Sequence, residues 1–271
     1  MPADASSAAP DPAASRAGVP ALLRPSVFAD VPALEAGFST RAGGVSTGAY
    51  ESLNLGFSTD DEAARVLENR RRLGAALGFP REQWVVTGQV HGDRILRAEE
   101  AGLFRGYDGL VTDRAGLLLC ISAADCAAVL LADPEAGVLG ACHSGWRGTV
   151  KRISEQTVGE MEALGAHPGR MRAYVSPCIS LEHFEVGEEV AGQFDASFVR
   201  RPAAASDAPG PQKPHVDLKA AIAAQLRAAG VPGDQIEVSP HGTVSGSERF
   251  FSYRASEGVT GRMMGVIGRA A

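Results

Sequence analysis

The sequence predicts a single layered domain of mixed α-helices and β-strands, an α+β class fold. Apolar runs at 117–121, 129–131 and 138–142 are unbroken, as central strands covered on both faces are. Helix-period segments are interleaved with the strand signals from start to end. No linker or internal repeat divides the chain, and 271 residues with 45% hydrophobic content suffice for one generous core.

Residues 1–26 are Ala/Pro/Ser-rich and read as a disordered tail, with the ordered domain spanning 27–271. Glycines punctuate Gly37-Phe-Ser-Thr-Arg41-Ala-Gly43-Gly44 and Ser52-Leu-Asn54-Leu-Gly56, which marks turns or close backbone approach. Asp60-Asp61 reads as the N-cap of a helix whose apolar face holds Val66, Leu73 and Leu77 and which stops at Gly78-Phe-Pro80. Trp84–Val86 is a short strand running into Gln89-Val-His-Gly92. Leu110-Val111 follows an Asp108-Gly109 turn, and the three apolar runs come next, the last delivering the chain into His143. A helix over 149–164, a strand over 173–175 and a helix over 185–198 follow. Residues 201–214 read as an exposed loop. Asp217 caps a helix stopped by Gly230 and Pro232, and 236–238 and 263–267 are closing strands.

The charge balance is mildly acidic, 26 basic against 32 acidic residues, with no long runs. Such a surface offers no footprint for a nucleic-acid backbone, so nucleic acid is excluded as a partner. No apolar stretch approaches the roughly 20 residues of a membrane helix. The first residues lack the basic start and apolar segment of a secretory signal. Cys120, Cys126, Cys142 and Cys178 contain no C-x-x-C pair, which suits reduced thiols in the cytoplasm. No self-complementary stripe is evident, so the expected state is a monomer. A soluble cytoplasmic enzyme is the class that remains.

Three polar residues stand where a strand ends and a small residue follows: His91, Cys126 and His143. Two imidazoles and a thiolate are a donor set for catalytic zinc, leaving a fourth position open to water. Their spacing matches no local zinc motif, and on spacing alone three unrelated residues is the favoured reading. Cys142 and Cys120 read as core, and Cys178 as a fourth ligand or a packed thiol. His167, His183, His215 and His241 read as surface groups. Trp146 is either a wall of the site or a staple between helix and sheet, and Asn54 reads as a turn former.

Longer strings share an order. They are Phe38-Ser-Thr-Arg41-Ala-Gly-Gly44-Val-Ser, Ser52-Leu-Asn-Leu-Gly56, Gln89-Val-His-Gly92, Asp108-Gly-Leu-Val-Thr-Asp113, Ala124-Asp-Cys126, His143-Ser-Gly-Trp-Arg-Gly148, Ser176-Pro-Cys-Ile179 with Phe184-Glu-Val-Gly187, and Arg249-Phe-Phe-Ser-Tyr-Arg254 with Thr260-Gly-Arg262. Over residues 27–268 the chain resembles the YfiH family, the laccase-domain or multicopper polyphenol oxidase-like proteins now regarded as purine nucleoside phosphorylases. The resemblance implies a compact α/β sandwich with mixed sheets and a metal site on His91, Cys126 and His143, holding Zn2+ or, at the same ligands, Cu2+. It implies phosphorolysis of adenosine, inosine and S-methyl-5'-thioadenosine, and deamination of adenosine. The chain departs from the family pattern at Ser144, Ser122-Ala123, Ala127-Ala128 and Ala255, none of them a proposed ligand.

Phosphorolysis needs a phosphate held near the ribose C1′. Arg41 beside Gly43-Gly44 and Arg147 at a helix start are the candidates, with a structural ion pair as the competing role for each. Asp125 either orients a ligand histidine, acts on the substrate, or accepts backbone bonds in a turn. Gln89 shares a strand face with His91 and is a candidate for hydrogen bonding to substrate. Relatives are also associated with an alternative: Cys126 and His143 as a thiolate–imidazole amidase editing peptidoglycan precursors, removing L-Ser from UDP-MurNAc-L-Ser. The copper oxidase name fits the residues poorly, because no His-x-His pair occurs.

Overall fold

The computed structural model describes residues 18–202 and 212–271. Its strands are β1 (Leu22–Leu23), β2 (Leu34–Ser39), β3 (Trp84–Gly88), β4 (Ile95–Arg97), β5 (Gly102–Arg105), β6 (Gly109–Thr112), β7 (Leu118–Ala123), β8 (Ala127–Asp133), β9 (Val138–Ser144), β10 (Arg172–Val175), β11 (Val199–Arg200), β12 (His215–Val216), β13 (Ile236–Val238) and β14 (Met263–Arg269). The α-helices are α1 (Ala63–Leu77), α2 (Trp146–Val150), α3 (Ile153–Glu162), α4 (Glu188–Ala191) and α5 (Leu218–Ala228).

Alternation along the central strands explains the layering. In β8, Ala128, Leu130 and Ala132 join Phe38, Leu119, Ile121, Leu139 and Ala141 in a core between two sheets. Ala127, Val129 and Leu131 point the other way, onto Ile153, Val158 and Met161 of α3 and Ile222 and Leu226 of α5. In β7, Leu118 and Cys120 face away from the inter-sheet core and pack with Leu73 and Leu77 of α1. The result is helix, sheet, sheet, helix, and it buries both faces of each unbroken apolar run. The first sheet has the order β1-β2-β14-β7-β3-β5 and the second β13-β10-β8-β9-β6-β4. Both are mixed: β7 is antiparallel to β14 and parallel to β3, while β10 is antiparallel to β8 and parallel to β13. The sheets touch closely at Gly265, where an added Cβ would sit 2.5 Å from that of Ala128.

Several elements differ from the sequence reading. The tail is shorter than 1–26: Leu22-Leu23 pairs with β2, and Ala21 is buried, while residues 1–17 lie outside the described residues. Glu62, not Asp60 or Asp61, is the N-cap of α1, because the Asp61 carboxylate accepts from Ser46 Oγ and Asn54 Nδ2 instead. The helix over 149–164 begins earlier and is split into α2 and α3 by Arg152, which takes a left-handed φ of 61°. The helix over 185–198 shrinks to α4. Val186 N–H bonds Pro214, Gly187 and Gly192 bound the single turn, and Asp195 starts a separate 3-10 turn by accepting from Ser197. Strands β4 and β5 were not foreseen, and β2 runs straight through Gly37. Of the expected loop over 201–214, positions 203–211 lie outside the described residues. Among the described residues no helix is long and apolar enough to cross a membrane, and all four cysteines are free.

Candidate metal centre

The site forms at one end of the sandwich, where β3, β7 and β9 end. Beyond β3 the chain turns through Val90, His91 and Gly92, with His91 at a left-handed φ of 58°. That strained conformation is held by a single carboxylate. Asp108, wholly buried just before β6, accepts the N–H groups of Val90 (3.0 Å), His91 (3.0 Å) and Gly92 (2.8 Å). The same carboxylate meets His143 Nδ1 at 2.9 Å, and the Asp108 carbonyl accepts the His143 N–H at 2.7 Å. A carboxylate only accepts, so Nδ1 carries a proton and Nε2 is left as the ligand nitrogen.

Cys126 lies on the crossing from β7 to β8, which carries the chain from the first sheet to the second. The register Ala127↔Ser144 and Ala128↔His143 sets this crossing beside the end of β9. Gly145 follows, and only glycine fits: an added Cβ would lie 2.6 Å from Cys126 Sγ. One ligand atom from each of His91, Cys126 and His143 falls within 4.8 Å of the others. The two rings meet edge to face with centroids 4.8 Å apart.

Electrostatics follow from this convergence. Burial would raise the Cys126 thiol, but the charge and hydrogen bond of His143, and then the hydrogen bond of His91, prevail and lower it to about 6. For His143 burial opposes the charge, yet Cys126 and Asp108 together raise it to about 9. Burial likewise disfavours the Asp108 carboxylate, but bonds from His143, Gly92 and Val90 bring it down to about 2. Burial pushes the other thiols the opposite way, to about 12 for Cys120 and Cys178 and about 11 for Cys142. A thiolate beside two imidazoles, with one ring's tautomer fixed, is the donor chemistry of a three-ligand zinc site.

The three donors line a cleft of about 1290 Å³. Its walls include the rings of Trp146, Phe184 and Tyr253. Arg70, Arg81, Arg105, Arg254 and Arg262 also line it, against Glu82 and Asp125 as the acidic lining groups. Among the described residues none of these five arginines has a salt bridge, although Arg24, Arg65, Arg71, Arg72, Arg97, Arg114, Arg152, Arg170, Arg172, Arg200 and Arg201 all do. A net −6 protein therefore keeps uncompensated positive charge in its cleft.

The remaining candidates separate. Gln89 lines the cleft, but its amide is committed to Ser122, donating to the carbonyl (2.9 Å) and accepting the N–H (2.8 Å), which ties the end of β3 to β7. Of the three roles weighed for Asp125, orienting a histidine falls to Asp108 instead. The Asp125 carboxylate accepts from Thr243 Oγ1 (2.5 Å) and, as a backbone-bonding aspartate does, from Arg254 N–H (2.6 Å). Arg41 is outside the cleft lining: Nε donates to Glu51 O, Nη1 to Ser247 O, and the guanidinium lies over Phe251 at 4.7 Å. Arg147 is also outside it, stacked on Trp146 at 4.3 Å. Cys178 is no fourth ligand; it is buried among the residues between the second sheet and α5. Cys142 packs in the core beneath Ser154, as its strand parity requires. His167 is exposed, whereas His183, His215 and His241 are half-buried. Asn54 bridges Thr59, Asp61 and Arg262 N–H across its loop. The sequence offered one sign of Asp108, the turn Asp108-Gly109 placed between the two histidines in the chain.

Comparison with known proteins places the fold. A family model described as multi-copper polyphenol oxidoreductase laccase matches residues 35–270. A purine nucleoside phosphorylase of Deinococcus radiodurans is 47% identical over 251 residues, covering 93% of each chain. A protein named adenosine deaminase RL5, from an unknown prokaryotic organism, is 37% identical over 80% of this chain and 87% of its own. The crystal structure of YlmD from Geobacillus stearothermophilus superimposes with a TM-score of 0.85 at 34% identity, covering 97% of this chain and all of that one.

Proposed function

Because the chain belongs to the multi-copper polyphenol oxidoreductase laccase family, and relatives across nearly its full length are named for nucleoside enzymes, we propose that it is a zinc-dependent purine nucleoside phosphorylase that also deaminates adenosine. The convergence of His91, Cys126 and His143 on one point within the cleft is the observation that carries this reading. A bound zinc ion would supply Lewis-acid activation, of water or of the purine. Copper is the alternative ion for the same three donors.

The chain's own residues do the rest. Asp108 holds both histidines, and Gly145 leaves room for the thiolate. Trp146, Phe184 and Tyr253 offer flat faces for a purine. In phosphorolysis a phosphate oxygen bonds C1′ as the C1′–N9 bond breaks and the purine leaves with a proton. In deamination water replaces the 6-amino group, which leaves as ammonia. Phosphate requires a cation near the sugar. Arg262 suits it: it lines the cleft, only its Nη1 is spent, on Thr260 O and Gly261 O, and among the described residues it has no salt bridge. Arg41 and Arg147, outside the lining, do not take this part.

The amidase alternative needs one imidazole on a free thiolate; a second imidazole on the same sulfur is what a metal site needs. Four unpaired thiols suit the cytoplasm, where we place the protein, as a monomer. The test is elemental analysis of the purified protein, with product analysis on adenosine with and without phosphate. Adenine and ribose 1-phosphate, and inosine without phosphate, are expected, and both vanish with the metal in Cys126→Ala. Full nucleoside turnover by that variant overturns the reading.

A further inference from the structure

The cleft extends well past the metal donors. Its wall follows β3 from Trp84 to Gly88 and on to His91, and β3 alone spans about 13 Å. At the end remote from His91 stands Arg81, in the turn that precedes β3, and Arg70, on α1, lines the cleft with it. Arg70 is only 7% exposed, with Nε spent on Leu55 O (2.8 Å) and its guanidinium over the Phe57 ring at 4.5 Å. The other arginines of α1, at 65, 71 and 72, are each salt-bridged to Glu62 or Glu68. Arg70 has no carboxylate partner among the described residues, and besides the Cys120 thiol it feels the like charge of Arg81. Glu82, beside Arg81 in the same turn, is the acidic group of this lining, and among the described residues it pairs with neither arginine, so two cations stand against one carboxylate and can take an anion.

A phosphate attacking C1′ of a nucleoside must lie beside a sugar whose base is at the metal. Arg81 precedes β3 and His91 follows it, so Arg81 lies a strand's length from the metal end, too far for that phosphate, and the wall is longer than a nucleoside. Resting on the purine reading above, we propose that Arg70 and Arg81 form a second anion subsite, which takes the terminal phosphate of a purine nucleotide whose base sits at the metal end. The cleft thus admits phosphorylated purine nucleosides, as substrates or as ligands that exclude the nucleoside.

The probe is ADP, measured by calorimetry on the protein as purified and as an inhibitor of adenosine turnover. Wild type should bind ADP at least tenfold more tightly than adenosine and show competition between the two. Arg81→Met should remove that tenfold advantage, while the KM values for adenosine and phosphate stay within twofold. Arg70→Lys, with its Tm checked because Arg70 holds Leu55, should do the same. Unchanged ADP affinity in Arg81→Met overturns the subsite. A rise in phosphate KM to match the ADP loss also overturns it, by making the pair the cosubstrate site. Calorimetry separates this from the functional reading: absence of nucleoside turnover in wild type sinks the latter, whereas ADP binding that depends on Arg81 does not require turnover.

Discussion

Replacing Asp108 by Asn removes a charge and changes almost no volume, so it isolates what the carboxylate does. Its Oδ1 accepts from His91 N–H and His143 Nδ1, and its Oδ2 from Val90 and Gly92 N–H. An asparagine amide must place its NH2 on one side. Facing Val90 and Gly92, it opposes two donors and releases the turn that holds His91. Facing His143, it leaves His91 N–H unpaired and forces Nδ1 to accept, moving the ring proton to Nε2. Two bonds to a charged acceptor are lost either way, at roughly 1.5–3 kcal/mol each, so the folded state loses about 3–6 kcal/mol. Metal affinity should fall about 10–100-fold, as for other partners of ligand histidines. Chelator competition reads the affinity, the 15N shifts of His143 read the tautomer, and thermal melting reads stability. Asp93→Asn, which removes an exposed pair with Lys151, is the control and should change none of the three appreciably. Wild-type zinc affinity in Asp108→Asn, with the proton still on Nδ1, would refute the reasoning.

In metal-free protein, Cys126 should alkylate with a midpoint near pH 6. A lowered thiol pKa keeps the thiolate present above that pH and loses it below, while Cys120, Cys142 and Cys178 stay silent to pH 9; a midpoint above 8 contradicts the His143 contact. Gly145→Ala drives a methyl against Cys126 Sγ and should abolish tight zinc binding with a far-UV spectrum like wild type; retained affinity would show that the sulfur has room. Arg41→Ala should lower Tm by several degrees and leave the phosphate KM unchanged, since its guanidinium joins the 51 and 247 loops instead of facing the cleft; the reverse pattern would restore it to the site. Gly265→Ala should cost about 1–3 kcal/mol in denaturant unfolding, because the new methyl meets Ala128 across the sheets; a neutral result would mean the sheets can part there.

The strands buried on both faces were legible because continuous apolar runs leave little alternative, and β7, β8 and β9 appear where they were read. Strands β4 and β5 were not. They are half-exposed edges, so their residues carry neither alternation nor a long apolar run. The split at Arg152 and the shrinkage of α4 depend on tertiary bonds that no local propensity reports. At the site, chemistry-bearing side chains at strand ends were visible, whereas their holder was not. Asp108 looks like any turn aspartate until the fold brings residues 90–92 and 143 around it. Arg41 misled for the opposite reason: its neighbouring glycines do signal close backbone approach, but to Val19 and Ser52 instead of a ligand.

The crossing of the chain between sheets at Cys126 has a mechanical corollary. His91 hangs from the first sheet, His143 from the second, and the thiol from the bend that stitches one to the other. An ion gripped by all three is a rivet through both leaves of the sandwich. Loosening the leaves anywhere along their shared interior should then be felt as faster ion escape, long before the protein unravels.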